Sequence, residues 1–143
     1  MCPEPSATIT LTDVQFQPWS PGNFTTTRFS MIEPVAGFSL QDETLVIKVP
    51  AGQTVKVIFQ LPDPDYVLLG VAFNPNQADV PGSRLEFPEV AILRTPPVSQ
   101  LTLTDSSLKM FSDVDFNYVI LIQQVETGQI GVIDPDIINE PEN

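Results

Sequence analysis

Apolar residues in this chain recur mostly at every second position, in short runs separated by proline, glycine and aspartate. A period of two places such residues on one face of a β-strand, whereas a helix face needs a period near 3.6. The clearest stretch is Glu43 to Leu61, ETLVIKVPAGQTVKVIFQL. Leu45, Ile47 and Val49 alternate on its first arm; Val55, Val57, Phe59 and Leu61 alternate on its second. Pro50-Ala51-Gly52-Gln53 breaks the chain between them. The stretch therefore reads as a central β-hairpin, which needs further strands on a shared apolar face to be stable in water.

The flanking sequence supplies them. Ala7 to Phe16 reads as a strand, with a slip of phase at Thr12-Asp13 that predicts a bulge. Thr25 to Ile32 is β-branched and aromatic, and Pro34-Val35-Ala36-Gly37 begins a turn leading to the central hairpin. Tyr66 to Phe73, YVLLGVAF, is apolar on both faces and suits a buried strand. Phe87 to Arg94 and Ser99 to Thr104 are shorter runs; Phe116 to Val125 is a long one, expected beside the central hairpin. Glu126-Thr127-Gly128-Gln129 turns the chain and Ile130 to Ile133 returns it. A helical turn fits only at Asp105 to Ser112, where the Asp105 carboxylate would accept free N–H groups of the first turn. About nine short strands between Pro/Gly turns predict an all-β fold. The expected form is a single antiparallel sandwich over residues 1–143, immunoglobulin-like or cupredoxin-like, with a closed barrel as the alternative. Residues 1–6 are expected to be mobile and 134–143 to form an acidic tail.

Composition narrows the chemistry. The chain has 143 residues, enough for one ordinary core, and 42% of them are hydrophobic, so its 15 prolines act as loop punctuation and do not signal disorder. Eighteen acidic against six basic residues give a net charge of −12. That charge repels a phosphate backbone and an anionic lipid surface, and it tolerates a basic protein or a divalent cation. Cys2 is the one cysteine, so no intrachain disulfide forms, and no neighbouring base activates its thiol. No apolar leader or run of membrane-spanning length appears, so a cytoplasmic location is the expectation, and the glycosylation pattern at Asn23-Phe24-Thr25 reads as chance.

The chain contains no histidine. Histidine triads, Cys-His dyads and imidazole-bound zinc, copper or iron are therefore excluded, blue copper included. No cofactor is expected. Ser106-Ser107-Leu108-Lys109 satisfies an S-x-x-K pattern, but the S-D-N and K-T-G elements that position such a serine are missing. Three Asp-x-Asp pairs remain: Asp63/Asp65, Asp113/Asp115 and Asp134/Asp136. Loop aspartates beside carbonyl groups suit calcium, so two pairs from converging loops would make a calcium site. The competing reading is that each aspartate hydrogen-bonds its own turn.

One family resemblance lies near the C-terminus. Phe116-Asn117-Tyr118-Val119-Ile120-Leu121-Ile122, a turn at Gly128, and Ile133-Asp134-Pro135-Asp136-Ile137-Ile138-Asn139-Glu140-Pro141 resemble the small bacterial DP-EP family. The family is named for the pairs found here as Asp134-Pro135 and Glu140-Pro141. The resemblance implies an immunoglobulin-like β-sandwich of unassigned function and brings no catalytic residues. Physically, Asp134-Pro135 is expected to stop the last strand, and Ile137 and Ile138 to pack back as a clasp. The functional expectation is a non-enzymatic module that binds a protein partner or a second copy of itself, with Trp19, Phe24 and Phe38 as candidate contacts. A calcium-dependent binding module is the alternative.

Overall fold

The computed structural model describes residues 5–16, 25–31, 33–41, 44–73, 87, 89–93, 99–107, 115–133 and 136–140. Eleven strands run through them. In chain order they are β1 (Ser6–Phe16), β2 (Thr25–Ser30), β3 (Phe38–Gln41), β4 (Thr44–Ile47), β5 (Val55–Leu61) and β6 (Tyr66–Phe73). Then follow β7 (Glu89–Leu93), β8 (Ser99–Asp105), β9 (Asp115–Gln124), β10 (Ile130–Ile133) and β11 (Asp136–Asn139). The fold is all-β: the described residues contain no helix, and so none long and apolar enough to cross a membrane.

The strands form two sheets, neither closed into a barrel. One has five strands in the order β2-β1-β5-β8-β7; the other has six, in the order β10-β9-β11-β4-β3 with β6 also paired to β9. Alternation is strictest in β5, where Val55, Val57, Phe59 and Leu61 are all buried. They join one apolar cluster with Ile9 and Leu11 of β1, Leu101 and Leu103 of β8, Leu45 and Ile47 of β4, and Tyr118, Ile120 and Ile122 of β9. The Phe59 and Tyr118 rings meet across this core at 6.1 Å, tilted by 57°, a favourable aromatic arrangement. Beyond the core, β6 approaches β7 and β8, and β10 approaches β2. Buried Ser99 of β8 links the sheets: its Oγ accepts the Leu68 N–H of β6 at 3.0 Å and donates to the Leu93 carbonyl at 3.3 Å.

Two expectations about pairing are corrected. β4 and β5 do not form a hairpin. β4 pairs with β3 and β11, whereas β5 pairs with β1 and β8 in the other sheet. The Pro50–Gln53 turn, closed by the Gln53 N–H on the Pro50 carbonyl at 3.1 Å, therefore carries the chain from one sheet to the other. The physical reason is that both arms have one apolar face, and placing them on opposite sides of the core buries each against the other. Similarly, β9 lies beside β6, β10 and β11, and pairs with neither arm of the expected hairpin.

The sheets are also not purely antiparallel. β1 runs parallel to β5, and β11 runs parallel to β4. β6 is less buried than its apolar run suggested. Leu68 is fully buried, but most of its neighbours are half-exposed, because β6 pairs only with β9 among the described residues and its register shifts between Leu68 and Gly70. The bulge expected in β1 is present: the register shifts between Thr12 and Gln15, and Asp13 takes a left-handed φ of 54°. β3 falls where only a turn was expected. It is admitted by Gly37, whose φ of 88° and carbonyl bond from the Lys48 N–H start the β3–β4 ladder.

The segment expected as an acidic tail holds β11. β10 pairs Ile133 with Ile120, and β11 pairs Asp136 with Asn117, so the register against β9 is the same on both sides of Asp134-Pro135. β11 then sits between β9 and β4, with Ile137 fully buried, and joins the β3–β4 ladder to the rest of its sheet.

Candidate functional site

β7 is the edge strand of the five-stranded sheet, and among the described residues it pairs only with β8. Its register sets Val90 opposite Leu103 and Ile92 opposite Leu101. Opposed residues share a face, so Val90 and Ile92 belong to the face that is apolar and buried further into the sheet. At the edge that face opens to solvent: Val90 is 40% exposed and Ile92 36%. Leu93, on the other face, is 52% exposed. The one charge of the strand is Glu89, and every residue of EVAIL is exposed. A short strand whose second edge pairs with no described strand, and which carries three open aliphatic side chains, can accept another strand: backbone N–H and C=O groups would supply the hydrogen bonds and side chains the apolar contact. Val125 and Ile130, the remaining large exposed apolar residues described, flank the β9–β10 turn, separate from this edge.

An open groove of about 370 Å³ is lined by Ser6 and Thr8 of β1, Gln60 of β5, and Glu33 and Val35. Its described lining has hydroxyls, an amide and one carboxylate.

The candidate calcium residues that are described fall at two ends of β9. Asp63 and Asp65 lie in the β5–β6 turn, where Asp63 Oδ1 accepts the Asp65 N–H at 2.9 Å and the Asp65 carbonyl accepts the Val125 N–H. Asp115 opens β9 and Asp136 opens β11, whereas Asp65 lies by the far end of β9. Ten residues of strand separate those ends, about 30 Å at strand rise. Asp136 is opposite Asn117, two positions from Asp115, so one register neighbourhood holds both. Asp113, Asp134, Pro135 and Pro141 lie outside the described residues, as do Cys2, Trp19 and Phe24. Among the described residues no three metal-ligating side chains gather. Phe38, expected as an exposed contact, is 7% exposed and belongs to the core, a correction that follows from its pairing with Ile47 in β3–β4. Glu140 donates its N–H to the Ile47 carbonyl and pairs with Lys48 at 3.7 Å, an exposed contact of small energetic weight.

A polar cluster around Asp105, which the sequence marked only as a helix cap, ends β8. Asp105 is fully buried; its Oδ1 accepts the Ser107 N–H at 2.9 Å and holds Ser107 in a left-handed turn with φ of 49°. The Ser107 carbonyl in turn accepts the Gly52 N–H at 2.7 Å, and Lys56 Nζ donates to Thr104 Oγ1 at 2.8 Å. The carboxylate thus accepts an N–H two residues on, in a turn that fastens the β4–β5 connection to β8, whereas residues 108–112 of the expected helical turn lie outside the described residues. Ser107 lies buried, and its hydroxyl has no hydrogen-bond partner among the described residues; Lys109 lies outside them.

Comparison with known proteins adds little to this geometry. No family profile matches the chain, and no curated protein is similar to it. Among solved structures, a match is an endo-fucoidan hydrolase from glycoside hydrolase family 107, with a TM-score of 0.37 and 9% identity. The alignment covers 83% of this chain and 17% of that one, so the chain spans a small part of the hydrolase it matches.

Proposed function

We propose that this chain is a single immunoglobulin-like β-sandwich of the DP-EP kind that works by binding protein, with the β7 edge as its contact, and that it is not an enzyme. The sandwich reading is supported by two stacked apolar faces sharing one buried cluster. The binding reading is carried by one observation, the open EVAIL edge with Val90, Ile92 and Leu93 exposed. The strongly acidic surface favours protein partners over nucleic acid. The absence of histidine from the sequence removes the commonest general base. The DP-EP segment acts here as a structural clasp, since Ile137 anchors β11 between β9 and β4. The test is capture of interacting protein by the intact chain against a Val90→Lys/Ile92→Lys variant. Association that disappears in the variant supports the reading; association indifferent to it, with itself or any other protein, overturns it.

A further inference from the structure

Resting on the β7 reading, we infer that the occupant of this edge is β7 of a second copy, paired antiparallel about a two-fold axis at Ala91. In that register Ala91 faces its own copy, Val90 faces Ile92, and Glu89 faces Leu93, so the central Val-Ala-Ile is apolar on both sides of the joint. Three consequences favour it. Val90 and Ile92 share the inner face with buried Leu103 and Leu101, so the joint continues an apolar face from one molecule into the next and covers side chains now 40% and 36% exposed. The joint also satisfies a row of backbone groups that an edge leaves to water.

The third consequence concerns charge. Two chains of net charge −12 repel, so a self-interface must avoid opposing acids. β7 does so: its single charge, Glu89, meets Leu93 of the other copy, whose methyl groups can lie along the glutamate stem. The two Glu89 positions are four residues apart along the joint, about 14 Å at strand rise and beyond the screening length of roughly 8 Å in physiological salt. The remaining repulsion is long-range and screened. Added salt therefore strengthens this dimer, whereas it would weaken capture of a basic partner.

The test is sedimentation of the intact chain over a micromolar-to-millimolar series in low and high salt. Expected is a reversible dimer that tightens with salt. Ile92→Lys, present twice at a two-fold joint, weakens it by about a hundredfold or more, through lost burial and a charge on the apolar face. Leu93 provides the register test at a surface position that leaves folding intact. Leu93→Glu sets two acids opposite each other and weakens association, Leu93→Lys faces Glu89 and keeps it, and Glu89→Lys with Leu93→Glu restores it. Three results overturn the inference: a monomer at every concentration in high salt, a dimer indifferent to these changes, or equal loss in Leu93→Glu and Leu93→Lys. A monomer that still captures other proteins in a β7-dependent way overturns self-pairing and leaves the binding module standing; a monomer whose capture ignores β7 removes both.

Discussion

β7 and β11 are short strands of similar content and opposite circumstance. EVAIL carries Val90, Ile92 and Leu93; DIIN carries Ile137 and Ile138. β11 is flanked on both edges, by β9 and β4, and Ile137 is fully buried. Among the described residues β7 is flanked by β8 alone, and its aliphatic residues are partly open to water. The same side-chain chemistry therefore secures the fold in one place and lies partly open in the other. What differs is the number of neighbouring strands, a property of the whole sheet and not of the segment.

Removing each strand's contribution should expose that contrast. The largest effect is expected from a chain ending at Ile133, which lacks β11 and so the link between β9 and the β3–β4 ladder. Such a chain is expected to lose its cooperative thermal transition, followed by circular dichroism; a retained sharp transition would deny β11 its linking role. Next, Ile137→Ala should cost about 2–5 kcal/mol by urea unfolding, the range for deleting buried aliphatic groups. Ile92→Ala, at a site 36% exposed, should cost under about 1 kcal/mol when monomers are compared. Equal costs at the two isoleucines would erase the distinction drawn here.

Smaller effects sharpen it. Gly37 holds the ladder beside β11's partner in a left-handed conformation, and a Cβ there would come within 2.8 Å of the Lys48 carbonyl oxygen. Gly37→Ala should therefore destabilise by about 1–3 kcal/mol, through strain at a site where backbone must shift. Gly70 gives the smallest effect. A Cβ there meets Ile92 Cδ1 at 3.9 Å, ordinary contact distance, on the side facing β7. Gly70→Ala is expected to stabilise by less than about 1 kcal/mol, mainly by restricting the unfolded chain. A large loss there would mean that the space beside β7 is not open.

How much of this was legible in the sequence depends on the range of the cause. The alternation of Val55, Val57, Phe59 and Leu61 announced β5 and its buried face, and the broken phase at Thr12-Asp13 announced the β1 bulge, because both are local. The partner of β4 was not legible. Alternation tells which face of a strand is apolar but not which strand lies beside it, and two arms joined by a Pro/Gly turn suit a hairpin and a sheet-crossing turn equally. β3 and β11 were hard to see for a different reason. FSLQ and DIIN are four residues each, too short for a period to register, and DIIN sits among acids and prolines that resemble a tail. Of the candidate site, the existence of a strand around Val90 was readable, while its exposure was not. The aspartate pairs drew attention because their spacing is local, yet the backbone sets Asp63 and Asp65 at one end of β9 and Asp115 and Asp136 at the other.

The place of β11 has a consequence for the order of events during synthesis. Thr44 and Asp136 are register partners, yet the ribosome makes one 92 residues before the other. At about 5–20 residues per second, β4 waits roughly 5–18 seconds for its parallel neighbour. Throughout that interval the β3–β4 ladder presents Leu45 and Ile47 without the strand that will complete its edge. The nascent chain is thus open to chaperones and to misassembly at this edge until β11 emerges, and the pairing of that strand closes the window.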